Sequence, residues 1–327
     1  VRVVKQGLAL YGKGVDTFFM QNRLANASFI NVLPELSFFD NMEQFGHKLK
    51  IQIDRKGCDI IHVHNEPDWM TIIAKQLFPD IPIVHDCHDL DSARVGRANE
   101  EQVAALDAAD GVVFPSKGYA RHYDDFYGAD NKPKEVIYSM CNENYLHTLM
   151  LPRLRGIVYE GGASINPEES TGGRFSYRDY RLVARHLAEH NIPFTMFGLR
   201  EDIAEEYGKQ GVVCNPPTPY TTMMQQLTRY DWGLCGSPMK CNQWDWAMPN
   251  KLFEYTMAGV PSIVFNADET ADFVREHGLG VVLEKWEQIP EIYDQHETYR
   301  KIVQEKRHLF TMENQVGKIL GLYKKLI

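Results

Sequence analysis

Short apolar runs alternate with helix-patterned segments along nearly the whole chain, and few folds accommodate that rhythm. A strand buried on both faces reads as a continuous apolar run, and parallel strands need a crossover between them, usually a helix. In the first half, Val1–Val4, "CDIIHVH" (58–64), "IPIVHDC" (81–87), "GVVFP" (111–115) and "EVIYS" (135–139) read as strands, with "WMTIIAKQLF" and "EEQVAALDAA" as helices between them. After a connector, "NENYLHTLMLPRLR" (142–155), the alternation restarts with "GIVYE", "PFTMFG", "GVVCN", "DWGLC", "VPSIVF" and "LGVVLE". From about Glu297 to Ile327 the apolar residues Ile302, Val303, Leu309, Phe310, Val316, Leu320 and Leu322 fall at helical spacing.

The pattern predicts an α/β chain of two Rossmann-like, doubly wound domains facing a cleft, where ligands meet the carboxyl ends of parallel strands. The expected boundaries are 1–150 for a first domain and 151–295 for a second, with a helical segment at 296–327 packing back toward the first. A length of 327 residues suits two domains.

Net charge is −9 and neither half is basic, so no element shows the surplus expected of a nucleic-acid binder. Cys58, Cys87, Cys141, Cys214, Cys235 and Cys241 have no paired spacing and read as reduced thiols. No apolar stretch approaches the roughly 20 residues that cross a bilayer. These features place the protein in the cytoplasm, with peripheral contact at a membrane left open.

No G-x-x-x-x-G-K-[ST] occurs, nor a clean G-x-G-x-x-G after a strand. "EGGAS" (160–164) leaves the strand "GIVYE" directly, and Gly161 and Gly162 would let backbone N–H groups approach an anion, although a tight turn would use the same residues. "YGKG" offers Gly12 and Gly14 in the first domain in the same way, with Val1–Val4 read as either a first strand or the second strand of a shortened domain. In "PNKLFEYTMAG", Pro249 and Asn250 suit a helix start, Lys251 and Glu254 fall in its first turn, and Gly259 ends it. The N-terminal dipole and Lys251 could meet an anion, with Glu254 accepting from hydroxyls, but an i, i+3 ion pair on a wet face has the same sequence.

The order of "DIIHVHNEPDW", "IPIVHDCHDL", "ADGVVFPSKGYARHY", "EVIYSMCNENYL", "GIVYEGG", "PFTMFG", "YDWGLC" and "MPNKLFEYTMAGVPSIVFNADETADFVREHGLGVVLE" resembles the retaining GT-B glycosyltransferases of family 4, the group 1 transferases. The resemblance runs from about residue 58 to 284 and is most specific at "NKLFEYTMAGVPSIV". It implies a nucleotide-diphosphate sugar as substrate rather than a cofactor, held by the second domain, and hexosyl transfer with retention and without metal to a glycan, lipid-linked or small-molecule acceptor. Glu254 matches the second Glu of the family's E-x7-E motif, which binds ribose, and His88 matches the histidine beside the donor sugar and phosphate. "NPPTPY" (215–220) lies where the family places the base.

Two departures stand out. The first Glu of E-x7-E falls at Trp246, with Asp245 beside it as a stand-in. The family's Arg and Lys after the first strand of the second domain have no match after "YEGGAS", leaving Arg174, Lys240 or Lys251 as substitutes. "DLD" (89–91) follows a strand and reads as structural, and His62 and His64 share a strand face without a third metal ligand at a suggestive spacing. His88 and Lys251 are thus the expected catalytic residues, with Glu254, Asn250, Gly161, Gly162, Asp245 and Lys240 binding the donor. Other readings are a non-catalytic sugar-nucleotide binder and a UDP-sugar 2-epimerase.

Overall fold

A computed structural model of the chain describes residues 2–22, 36–65, 67–165 and 176–327. Arg174 lies outside the described residues. The chain divides into two compact units, the first comprising Val1–Tyr138 and Met312–Ile327, the second Ser139–Thr311.

Unit 1 runs α1 (Arg2–Gly12), β1 (Phe19–Asn22), β2 (Leu36–Phe39), α2 (Met42–Lys56), β3 (Ile61–His64), α3 (Trp69–Leu77), β4 (Ile83–Asp86), α4 (Asp91–Val95), α5 (Glu100–Ala108), β5 (Gly111–Phe114), α6 (Lys117–Tyr127) and β6 (Lys134–Val136). Strands β3, β4, β5 and β6 form a parallel sheet in that order, and β1 pairs with β2 in a separate parallel pair. Every residue of β4 and β5 is buried, which explains why their sequences are unbroken apolar runs up to the polar end of β4. The register sets His62 against Val84 and His64 against Asp86.

Of the strand expected at Val1–Val4, the described residues from Arg2 onward are instead the start of α1. A β-branched run favours strand, but here it continues into "KQGLALYG", whose Ala9 and Leu10 pack with Met312, Val316, Ile319 and Leu322 against Val84, Val113 and Ile137. Burying that helical stripe outweighs local propensity. Neither strand reading of "VRVV" therefore holds, and Gly12 closes a helix, while Gly14 follows it with φ +83 and open space around it.

Unit 2 carries β7 (Ile157–Glu160), β8 (Phe194–Phe197), β9 (Val213–Asn215), β10 (Trp232–Leu234), β11 (Ser262–Val264) and β12 (Gly280–Val282) in one parallel sheet of order β12-β11-β10-β7-β8-β9. From β7 the chain winds outward to β9, then returns to β10 and winds the other way. The reversal lies between β7 and β10, so loops leaving their carboxyl ends flank a switch point, the usual ligand position in such sheets. The Asn250–Met257 helix is seated on this sheet by two contacts. Its Tyr255 ring occupies the place a side chain on Gly233 would need, with a Cβ there falling 2.2 Å from the ring, and the Tyr255 hydroxyl accepts from the Glu160 N–H at 3.0 Å.

Candidate active site

In unit 2 the site grows from the end of β7. Gly161, at φ +123, and Gly162 leave the strand without side chains, and the space above them is taken by two cations. A Cβ on Gly161 would lie 3.3 Å from Lys251 Nζ, and one on Gly162 would lie 3.3 Å from Arg178 Nη1. Lys251 comes from the first turn of the Asn250–Met257 helix and Arg178 from the short 3-10 turn Ser176–Arg178. The helix begins at Pro249, which is extended and offers no side-chain cap to the first N–H groups.

Aromatic faces hold both cations. Lys251 Nζ sits 4.8 Å from the ring centre of Tyr159 and 5.2 Å from that of Trp244, and the Arg178 guanidinium lies 5.4 Å from that of Tyr177. Tyr177 in turn donates to Gln243 Oε1 at 2.6 Å, so the Asn242–Trp246 helix braces both groups through Gln243 and Trp244. Burial by itself would push the Lys251 ammonium down, but Tyr159, Glu160 and Cys235 reverse this and its pKa lies above the ordinary value. Lys251 is therefore charged at neutral pH.

The sequence-predicted donor residues separate into two sets. Gly161, Gly162 and Lys251 converge, with the exposed Asn250 heading the same helix. Glu254, one turn below Lys251, is buried and hydrogen-bonded to the Tyr220 hydroxyl, which joins it to the end of "NPPTPY". Lys240 is 63% exposed and ion-pairs with Asp268 at 3.2 Å. Asp245 is partly buried, its carboxyl raised by that burial and by Asp268. Arg178 was not anticipated. It follows the paired glycines by a long connection, too far along the chain for any spacing rule to join them.

In unit 1 the polar ends of β3 and β4 build a cluster around one carboxylate. Asp86 is fully buried and accepts from Arg2 Nε at 2.9 Å and from Gln6 Nε2 at 2.7 Å, both on α1. Burial alone would push its carboxyl up, but Arg2, followed by His64, holds it well below the usual range. Around it stand His62 Nε2 at 3.5 Å, His64 Nδ1 at 3.4 Å and His88 Nε2 at 3.7 Å. The rings of His62 and His64 are stacked with centres 4.7 Å apart, and His62 Nδ1 is 2.7 Å from the Tyr323 hydroxyl.

His88 is seated by its backbone as well as its ring. Its N–H donates to Asn65 Oδ1 at 2.6 Å, and the next carbonyl, Asp89, accepts from Gln102 Nε2 at 3.0 Å. Its side chain is 31% exposed, and burial among these groups lowers its pKa to about 3. His85 drops to about 4 and His64 falls well below its ordinary value for the same first reason. All three are neutral at physiological pH.

His62, His64 and Asp86 place one potential ligand atom each within 4.8 Å of one another, so the fold supplies the third metal-type ligand that strand spacing could not. The set fits a cation poorly. Both Asp86 oxygens already accept hydrogen bonds, one of them from a guanidinium whose fixed charge opposes a second cation.

A profile of Glycosyltransferase Family 4 matches residues 21–144, and the C-terminal domain of Glucosyltransferase 3-like proteins matches residues 178–315. The chain has the GT-B fold and is a family 4 (group 1)-like glycosyltransferase. Among solved structures it is similar to a sucrose-phosphate synthase from Thermosynechococcus elongatus, at 16% identity and TM-score 0.70 over 99% of this chain and 92% of that one. Anabaena HepE, solved with UDP, matches at 11% identity and TM-score 0.65 over 99% and 95%. The UDP-GlcNAc 2-epimerase of Methanocaldococcus jannaschii matches at 10% identity and TM-score 0.59 over 99% and 96%. No curated protein matches by sequence. In this GT-B chain no described helix is long and apolar enough to cross a membrane.

Proposed function

We propose that this glycosyltransferase moves a hexose from a nucleotide-diphosphate sugar to an acceptor hydroxyl, with retention and without metal, in glycan or glycoconjugate synthesis. The observation that carries the reading is the pair of cations over Gly161 and Gly162. Two fixed positive charges above side-chain-free backbone, beside an uncapped helix N-terminus, suit a diphosphate.

Glycosyl transfer proceeds through an oxocarbenium-like transition state while negative charge grows on the departing phosphate oxygen. Lys251 and Arg178 are assigned to that oxygen and its neighbours, where a preorganised donor is typically worth about 2.7 to 4 kcal/mol. Glu254 is assigned to the ribose hydroxyls, with Tyr220 orienting its carboxylate. His88 is assigned to the sugar and phosphate. Asp245 stands in for the carboxylate missing at Trp246. Attack comes from the acceptor hydroxyl on the face the nucleotide leaves, which needs no protein nucleophile.

The decisive experiment is a thermal-shift screen with UDP, GDP, ADP, CDP and TDP and their common sugars. UDP goes first, because the HepE structure contains it. A ligand at 100 times its Kd stabilises by about 2.7 kcal/mol, and one nucleotide family should raise Tm clearly. No shift with any of them would defeat the donor-site reading. The epimerase neighbour motivates one control: NMR of a UDP-sugar incubated with the protein should show no C2 epimer.

A further inference from the structure

Resting on the assignment of His88 to the donor, we propose that His64 is a positioning residue that holds the His88 ring in one tautomer, Nδ1 protonated and Nε2 bare. His88 then meets its ligand as a hydrogen-bond donor and not as a base.

The geometry leaves one proton to place. His64 Nδ1 and His88 Nε2 are 3.0 Å apart, a distance that holds a single hydrogen. The same His64 nitrogen faces Asp86 Oδ2 at 3.4 Å, whereas His88 Nε2 is 3.7 Å from Oδ1. If the proton belonged to His88, His64 Nδ1 would turn a bare lone pair toward a carboxylate oxygen in a site where Asp86 is fully buried. Two acceptors facing each other without water are costly. With the proton on His64, one N–H points toward both the carboxylate and His88 Nε2.

The rest of the cluster prevents Asp86 from relaxing this choice. Arg2 and Gln6 on α1 hold its two oxygens, and His62 closes the remaining side from β3. Asn65 fixes the His88 backbone from which the ring reaches His64. A neutral imidazole whose Nε2 accepts must carry its hydrogen on Nδ1, the nitrogen left for a ligand. An N–H there can donate to a hydroxyl or phosphate oxygen. It cannot remove a proton from the acceptor hydroxyl. The unconstrained neutral ring prefers the opposite form, so the arrangement requires a neighbour that donates.

Nitrogen NMR of the full chain with isotope-labelled histidine tests this without any substrate. The wild type should show His88 with Nδ1 protonated and Nε2 unprotonated. His64→Phe should shift it toward the Nε2–H form and lower kcat about tenfold at most, the worth of one hydrogen bond. His64→Gln, whose amide can donate, should restore the tautomer and most of the rate. A wild-type His88 protonated at Nε2, or a tautomer unchanged in His64→Phe, overturns the proposal. Should His64→Phe fail to fold, the wild-type spectrum alone decides. Failure of every nucleotide to bind would defeat the proposed function and leave the tautomer result standing.

Discussion

The two units treat charge in opposite ways. In unit 1 the buried Asp86 is closed off by Arg2 and Gln6 and faced by the neutral His64 and His88, so its charge is answered inside the protein. In unit 2 Lys251 and Arg178 lean on the faces of Tyr159, Trp244 and Tyr177. A carboxylate satisfied on every side organises its surroundings. An aromatic face attracts a cation through its quadrupole and carries no formal charge of its own. The first arrangement suits shaping one histidine and the second suits meeting a diphosphate.

The comparison can be broken in several places. The largest effect is expected at Asp86, where alanine would strand the Arg2 charge and cost about 3 to 5 kcal/mol of stability, read by denaturant unfolding. Little loss would mean that the cluster does not organise unit 1. At Lys251, alanine should instead spare the fold and slow transfer by roughly 100- to 1,000-fold, or about 2.7 to 4 kcal/mol. A lost fold with normal chemistry in the survivors would reverse the contrast.

Acid should separate the units. His85 is fully buried and titrates near about 4, while an unfolded histidine takes its proton near about 6.5. Between those values the unfolded state binds more protons, so this stability is complete above the upper value and falls as pH drops through the window, by about 3 kcal/mol at most for this one residue. His64 adds in the same direction. In unit 2 the buried Asp231, depressed against the pull of burial chiefly by Arg153, protects until pH falls below the ordinary carboxylate value. Amide protection, taken relative to the intrinsic exchange rate at each pH, should therefore fall in unit 1 first between pH 7 and 4.5. An equal loss of protection in both would remove the distinction.

Smaller effects sharpen the unit 2 side. Arg178→Ala should weaken nucleotide-diphosphate binding by about 1.5 to 3 kcal/mol, roughly 10- to 100-fold by calorimetry, with lysine restoring part of it. Glu254→Ala should do the same for nucleosides and nucleotides alike, since it is assigned to ribose. The smallest effect is expected at Lys240, an exposed partner of Asp268, where alanine should leave donor affinity unchanged. A large loss there would move the diphosphate away from Gly161 and Gly162.

The strands of both main sheets were legible because buried parallel strands are unbroken apolar runs, as in "IPIV" and "GVVF". Strands β1 and β2 were not, since "FMQN" and "LSFF" neither alternate nor form a long run. The strand expected at Val1–Val4 failed for a related reason, local propensity yielding to the packing of α1 with Met312, Val316, Ile319 and Leu322. Lys251, Glu254 and the paired glycines could be named because each sits inside a local signal, a helix start or a turn. Arg178, Asn65 and Gln102 carry no such signal.

What the sequence determined by itself was the class of chain, its parallel sheets and the helix that presents Lys251, because apolar period, turn glycines and helix caps are properties of neighbouring residues. Tertiary structure alone decided which charges meet. Parallel pairing sets His64 of β3 opposite Asp86 of β4, and α1 brings Arg2 across to the same carboxylate. The fold also carries Arg178 back over Gly162. Such meetings depend on register and on the return of distant segments, and no spacing along the chain records either.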